Sequence, residues 1–158
     1  MLFNVQHNNH KFKGFYGNLQ EMKSLFEKNI KLQSSFEKLM TTHRGHYFST
    51  QDLDNEEKHK THPNAFMLIF SNLTIISTIR LIYKSKNTGY INMVHVNHAF
   101  RGKGWCQKTI LLLIKKTILE KYELHVDKTN LAAIRCYEKC GFISQPYSSK
   151  EFLMILEK

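Results

Sequence analysis

The stretch Val94-His95-Val96-Asn97-His98-Ala99-Phe100-Arg101-Gly102-Lys103-Gly104-Trp105-Cys106 decides how this chain folds. Its β-branched start completes a strand from Tyr90 to Val96, and its end opens an amphipathic helix at Trp105. A glycine-rich turn lies between them. Such a turn leaves several backbone N–H groups unpaired at the positive end of the helix dipole. Gly102 and Gly104 remove the Cβ atoms that would hold an anion off the main chain, and Arg101 and Lys103 add positive charge. The turn reads as an anion cradle suited to a diphosphate. No Gly-Lys-Ser/Thr closes it, so it is not an ATPase-type phosphate loop, and it is too short for the dinucleotide fingerprint. A plain strand-to-helix turn would carry the same pattern, so the second signal must come from elsewhere.

Working back from this turn, the chain is β-patterned. Tyr90 to Val96 follows a turn at Lys84 to Thr88. Before it come a long strand from Leu73 to Tyr83, a tight turn at Ser71-Asn72 and a buried strand from Ala65 to Phe70. Thr41 to Asn64 is polar and reads as a solvated loop. It holds His43-x-x-His46 and His59-x-x-His62, too widely separated for a convincing zinc site, and no metal is expected. Further upstream, Leu32, Phe36, Leu39 and Met40 mark a second helix or a kinked continuation of a first. That first helix carries Leu19, Met22, Leu25, Phe26 and Ile30 on one face, with Asn18 and Glu21 as its capping box. Leu2, Phe3 and Val5 suggest a short first strand.

Working forward, Trp105 to Lys121 reads as a helix with Cys106, Ile110, Leu113, Ile114, Thr117 and Ile118 turned inward. Tyr122 to Val126 is a strand, Leu131 to Lys139 a short helix, Phe142 onward a strand and Phe152 to Leu156 the last strand. Strands and helices in this order give one α/β (α+β) domain over residues 1–158.

The 158 residues carry 42% hydrophobic and 23% charged side chains, with eleven Phe, seven Tyr and one Trp to fill a core. No apolar run approaches the roughly 18 residues of a membrane span, and the first residues lack the pattern of a signal peptide. Three cysteines, Cys106, Cys136 and Cys140, cannot all pair and are not spaced as in a zinc ribbon. A reduced, cytoplasmic chain without membrane partner, monomeric or homodimeric, is the expectation. The net charge of +10 favours anionic partners: nucleic acid, phosphorylated cofactors or acidic surfaces.

The second signal lies about 25 residues beyond the turn, in Asn130-Leu131-Ala132-Ala133-Ile134-Arg135-Cys136-Tyr137-Glu138-Lys139-Cys140-Gly141-Phe142. Together the two stretches resemble the GNAT superfamily of coenzyme A-dependent acyltransferases. Its loop motif is Arg or Gln, two residues, Gly, one residue, then Gly or Ala. Arg101 to Cys106 matches except at the end, where Cys106 stands. Its second motif is matched by Asn130, Ala133, Tyr137, Gly141 and Phe142. The likeness covers residues 90–142 well and the whole element order loosely.

The resemblance implies a mixed, mostly antiparallel sheet of six to seven strands with about four helices, in which one strand pair splays to admit the cofactor arm. It also implies acetyl-CoA as co-substrate and no metal. The cofactor would meet Val94, His95, Val96, Arg101, Gly102, Lys103, Gly104, Trp105, Cys106, Asn130, Ala133 and Tyr137. Tyr137 would protonate the leaving thiolate, although core packing explains it too; Asn130 would bond the pantetheine, although an N-cap explains it too. The backbone N–H of Val96 would meet the oxyanion. Many family members carry a Glu on this strand as base, and Asn92 holds that position here. His95, on the opposite strand face by simple alternation, is the first replacement as base or relay; His98 and a group elsewhere stay open.

The implied reaction is N-acetylation of a primary amine by direct attack in a ternary complex. The acceptor is a small molecule, such as a polyamine facing Asp52, Asp54, Glu56 and Glu57, or a protein amine. The alternative is a CoA-binding sensor or interaction module with little catalysis. A nucleic-acid-binding domain is disfavoured, since no motif of that class is present.

Overall fold

Asn8 and Asn9 both take left-handed backbone (φ 47° and 63°), which Asn tolerates better than most residues. They fold the first residues into a tight hairpin of β1 (Leu2–His7) and β2 (His10–Gly17). Only the first of these strands was expected from the sequence. The computed structural model describes residues 1–45, 48–58 and 63–158. Among these, five α-helices and eight strands are present, one of each more than the expected upper counts.

Asn18 caps α1 (Leu19–Glu27) as its sequence demands. Its side chain accepts from the Glu21 N–H at 2.9 Å, and the Glu21 carboxylate accepts from the Asn18 N–H at 2.8 Å. The helix then breaks at Asn29, whose amide turns back to donate to the Leu25 carbonyl. Ile30 therefore starts α2 (Ile30–Arg44) instead of ending α1's apolar face, and it is 70% exposed. The expected polar loop over Thr41 to Asn64 is corrected as well. α2 runs on to Arg44, where Gly45 in left-handed conformation ends it, and α3 spans Thr50–Lys58. Phe48 and Leu53 are fully buried anchors, with Phe48 edge-on to Phe36, in a segment whose average composition hid them. His46, His59 and His62 lie outside the described residues, so neither expected His pair is seen whole. Among the described residues no group of three metal-ligating side chains gathers.

The central strands are β3 (Asn64–Ser71), β4 (Thr74–Tyr83) and β5 (Thr88–Val96), antiparallel in sequence order. Their first turn falls on Asn72-Leu73, one residue later than expected, with both residues left-handed. α4 (Trp105–Lys116) crosses back to β6 (Lys121–Asp127), the parallel partner of β5. α5 (Leu131–Lys139), β7 (Ile143–Pro146) and β8 (Glu151–Glu157) complete the order β1-β2-β3-β4-β5-β6-β8-β7. α4 stops five residues earlier than expected because the Thr117 hydroxyl bonds the Leu113 carbonyl and the Tyr122 hydroxyl, while the Lys158 ammonium takes the carbonyls of Ile114 and Thr117. Past that point the chain is extended, so Ile118 swings out to 99% exposure and Leu119 goes into the core instead.

Each face of the sheet has its own core. α4 and α5 cover Met67, Ile79, Leu81, Ile91, Tyr122 and Leu124, whereas α1, α2 and α3 cover Phe66, Leu68, Phe70 and Ile75. Cys106 and Cys136 are joined by a disulfide between α4 and α5, and Cys140 is free and buried. This corrects the expectation of a wholly reduced chain: thirty residues separate the pair in sequence, and only helix packing brings them together. No described helix is long and apolar enough to cross a membrane.

Two measurements test this account. In urea unfolding, Asn18→Ala should cost about 1 kcal/mol by losing a cap, against about 2–5 kcal/mol for Leu68→Ala in the buried core. Reduction with dithiothreitol should lower stability by about 3–4 kcal/mol, the loop-closure value for a thirty-residue separation. An unchanged midpoint after reduction would contradict the bridge.

Candidate active site: a splayed strand above a phosphate-type loop

β5 and β6 pair over only three residues each, Thr88–Tyr90 against Lys121–Glu123. Beyond Tyr90 and Glu123 they separate, so β5 from Ile91 to Val96 presents an edge to a gap inside the sheet. The β4–β5 register slips between Thr78 and Arg80, opposite Met93, which has φ 53°. This bulge is pinned by the Thr78 hydroxyl, which donates to the Met93 carbonyl at 3.1 Å. Asn97 N–H donates to Ile76 on the β4 side, so alternation turns the N–H and C=O of Val96 and Val94 to the open edge.

The bulge also resets the side chains. His95 and Asn92 lie on the same face, not on opposite faces as simple alternation requires. His95 stacks on His43 of α2, with ring centroids 4.1 Å apart. Burial, then the neighbouring His43, Arg44 and Arg101, push its pKa down to about 3. Burial and Arg101 likewise hold His43 below the usual imidazole range. Asn92 accepts from Arg80 Nε at 2.9 Å, and Arg80 is buried.

After β5 the chain makes a single 3-10 turn at His98–Phe100 and enters the glycine loop. His98 is exposed there and does not line the cavity between the strand edge and this loop. Gly102 and Gly104 have φ of 71° and 78°, a conformation a side chain would strain, and no atom lies within 4 Å of a Cβ built at Gly102. Gly104 is the N-cap of α4 and offers no side-chain cap, which leaves the first-turn amides to an external acceptor. The loop rests on the N-terminal hairpin. His7 Nε2 donates to the Lys103 carbonyl at 2.6 Å, and its ring packs on Trp105 at 4.2 Å. Phe12 meets the same indole edge-on.

A cavity of about 720 Å³ joins the open strand edge to this loop. Of the cofactor residues expected from the sequence, it brings together Val94, Val96, Arg101, Gly102, Gly104, Trp105, Cys106, Asn130 and Ala133. His95, Lys103 and Tyr137 do not line it. Arg135, Cys136 and Lys139 do, and sequence reasoning missed them as cofactor-side groups. Arg135 and Lys139 are four apart on α5, a helix-face spacing that could have exposed them. The Cys106–Cys136 bridge joins the two helices that wall this cavity.

Asn130 caps α5, its Oδ1 accepting from Ala133 N–H at 3.2 Å. Tyr137 is 7% exposed, and its pKa is pushed up to about 12 by burial first, then by Cys140 and Tyr90. A phenol so placed keeps its proton at neutral pH. On the other sheet face, Asp52 accepts from Ser49 N–H and Asp54 pairs with Lys23 at 2.8 Å. These two carboxylates already have protein partners, and the side chains of Glu56 and Glu57 lie outside the described part of the structure.

The family model of the acetyltransferase (GNAT) family matches residues 31–142. No curated protein matches the chain. Among solved structures, the GNAT domain of S. lividans PAT superposes with TM-score 0.70 at 11% identity, covering 99% of this chain and 97% of that one. The Campylobacter jejuni N-acetyltransferase PseH, in its acetyl coenzyme A complex, gives 0.60 at 15% identity, covering 92% and 99%. The PaiA N-acetyltransferase of Thermoplasma acidophilum, in complex with coenzyme A, gives 0.61 at 18% identity, also covering 92% and 99%. At these identities the likeness is one of fold. With the family model matched over more than half of the chain, the four central strands, both motifs and the strand split included, this chain belongs to the GNAT acetyltransferase family.

Proposed function

We propose that this chain transfers an acetyl group from acetyl-CoA to a primary amine by direct attack in a ternary complex. One observation carries the reading: a free strand edge, a glycine-capped helix N-terminus and three cations, Arg101, Arg135 and Lys139, share one cavity. A diphosphate needs N–H donors and positive charge, and the amides of Gly102 to Cys106 supply the first beside the cations. Lys103 adds charge at the loop's outer side. The amide-bearing pantetheine needs a strand-like partner, and Val94 and Val96 present one. Asn130, with its oxygen engaged in the cap, donates its amide to the arm, and Ala133 leaves room beside it. Trp105 holds the loop from behind.

The chemistry follows from charge development. Attack of a neutral amine on the thioester carbonyl makes an oxyanion, which needs a donor fixed in advance. Val96 N–H serves that role in the sequence reading; Val94 N–H opens on the same edge and lies nearer the point where the strands close. Collapse of the adduct expels a thiolate, and Tyr137, kept protonated by burial, supplies its proton. Burial, with His43, Arg44 and Arg101, holds the pKa of His95 at about 3, which makes it a weak proton acceptor, so its part in this reading is that of a relay. A second reading, a CoA-binding module with little turnover, is favoured by Asn92, which is bonded to Arg80 and cannot accept a proton as a carboxylate would.

Thermal unfolding separates these readings from simple charge attraction. Acetyl-CoA at about 100-fold over Kd should add roughly 2.7 kcal/mol, whereas adenosine diphosphate should give less and single-stranded DNA no comparable shift. Gly104→Val forces a side chain into left-handed backbone at the cap and should abolish the acetyl-CoA shift. If the shift persists in this variant, the diphosphate does not sit on the loop. Tyr137→Phe should keep the shift and slow CoA release in an amine assay by roughly 100- to 10,000-fold, the range for a general acid. Full activity of Tyr137→Phe at every pH would return Tyr137 to core packing. A module without catalysis would show the shift and release no CoA from any amine.

A further inference from the structure

Three side chains gather at the closed end of the strand split, on the face away from α4 and α5. Tyr90 is the last β5 residue paired with β6, and its hydroxyl lies 3.1 Å from His125 Nδ1. The Tyr147 ring covers the other side of His125, at 4.2 Å between centroids. Leu124 and Val126 flank His125 in sequence and pack into the α4–α5 core, so the imidazole points to the opposite face. Extending the three-residue parallel register by two positions sets His125 level with Asn92, across the gap.

This placement fits the path of the cofactor arm. The arm starts at the glycine loop, which follows Val96, and runs back along the open edge past Val94. It must end where β5 and β6 close. There Tyr137 stands on the α5 side, and the Tyr90 hydroxyl is close enough to raise its pKa. An acceptor amine reaching the thioester from the other face then meets His125. The imidazole among the described lining residues of the α4–α5 cavity, His43, is stacked on His95 and held below the usual imidazole range by burial and Arg101.

We propose that His125 is the catalytic proton acceptor for the amine, held in orientation by Tyr90 and screened by Tyr147. The inference rests on the acetyltransferase reading above. Nδ1–H donates to the Tyr90 oxygen, which leaves the Nε2 lone pair facing the gap. As the amine nitrogen bonds to the thioester carbon, its proton passes to Nε2. The C–S bond then breaks, and the sulfur takes its proton from Tyr137, so an amide and free CoA leave. The imidazolium then gives its proton to solvent and the Tyr137 phenolate takes one back from solvent, so both groups return to their starting state.

The other titratable groups nearby are assigned elsewhere. Glu123, on the same face of β6, is bonded to Lys84 and Lys121, which hold its carboxyl below the usual range. Burial raises the Tyr90 phenol most; Glu151, at the start of β8, and Tyr147 add to that, while a bond to the His125 backbone and the Arg80 charge oppose it. Glu151 is therefore the one carboxylate whose role the test must separate.

The test is the pH profile of CoA release from acetyl-CoA with spermidine, tyramine and a lysine-containing peptide. The wild type should show an acidic limb in kcat/KM with at least one of them. His125→Gln should lose that limb and roughly 100- to 10,000-fold in kcat/KM while keeping its acetyl-CoA thermal shift. Glu151→Gln should keep the limb. Tyr90→Phe preserves the ring packing and should move the same limb with a smaller loss, so the proposal is tested even if His125→Gln does not fold. Added imidazole should partly restore His125→Gly. An unchanged limb in His125→Gln or in Tyr90→Phe, or loss of the limb in Glu151→Gln, overturns the assignment and leaves the acetyltransferase reading standing. Loss of acetyl-CoA binding in step with rate also overturns it, since His125 would then be structural. A wild type that binds acetyl-CoA and acetylates none of the three amines overturns the acetyltransferase reading, and this inference with it.

Discussion

The rest of the structure depends on how briefly β5 and β6 stay together. A parallel pair that ended at its natural length would satisfy its own N–H and C=O groups and close the sheet. Here pairing stops at Tyr90 and Glu123, and six residues of β5 edge are left inside the sheet with no strand beside them. Unpaired backbone in such a place is costly unless another partner meets it. At Val96 the Arg101 side chain is such a partner, donating to the carbonyl at 3.2 Å. A strand-like ligand arm would replace that bond and pair the edge. The gap begins past Tyr90 and Glu123, and the bulge at Met93 reverses the side-chain alternation of the β5 residues beyond it.

What holds the gap open is built from both ends of the chain. On one side, the β1–β2 hairpin carries His7 to the Lys103 carbonyl and backs Trp105, so the glycine loop has a floor. On the other, α4 and α5 are locked by the Cys106–Cys136 bridge and by Gln107, whose side chain donates to the Lys139 carbonyl. The glycines alone make a loop that can bind an anion; these supports make it a loop that waits in one shape. That distinction matters because ordering a loop on binding subtracts from affinity.

Legibility in the sequence followed the range of the forces. The capping box at Asn18 and Glu21, the glycine loop and the limits of α5 depend on residues within a few positions of one another, and all were readable. The helix end at Thr117 was not, because the Lys158 ammonium from the far end of the chain supplies part of the cap. The side of the sheet occupied by His95 was not, because a bulge leaves no mark in apolar alternation. The hairpin at Asn8-Asn9 had a local signal that was passed over: paired Asn suits two left-handed residues between short strands. Phe48 and Leu53 show the opposite failure, where averaging over a polar segment concealed two fully buried side chains. Likewise, the cavity-lining role of Arg135 became visible only once α5 was set against the loop.

Charge links these features to the direction of the chemistry. The +10 excess is not uniform in its effect. Arg101, Arg135 and Lys139 face the cavity where a polyanionic cofactor is proposed to sit, and its phosphates would neutralise them. The opposite face holds His95, kept uncharged by burial, and Tyr90, held above the usual phenol range, while Tyr137 on the α5 side is raised in the same way. An amine that reaches this face as a cation finds Arg80 and Arg101 nearby, and their field favours its neutral form. An imidazole at the edge of the gap, half-buried and beside the exposed Tyr147, can pass a proton to solvent more readily than His95 in its stack with His43.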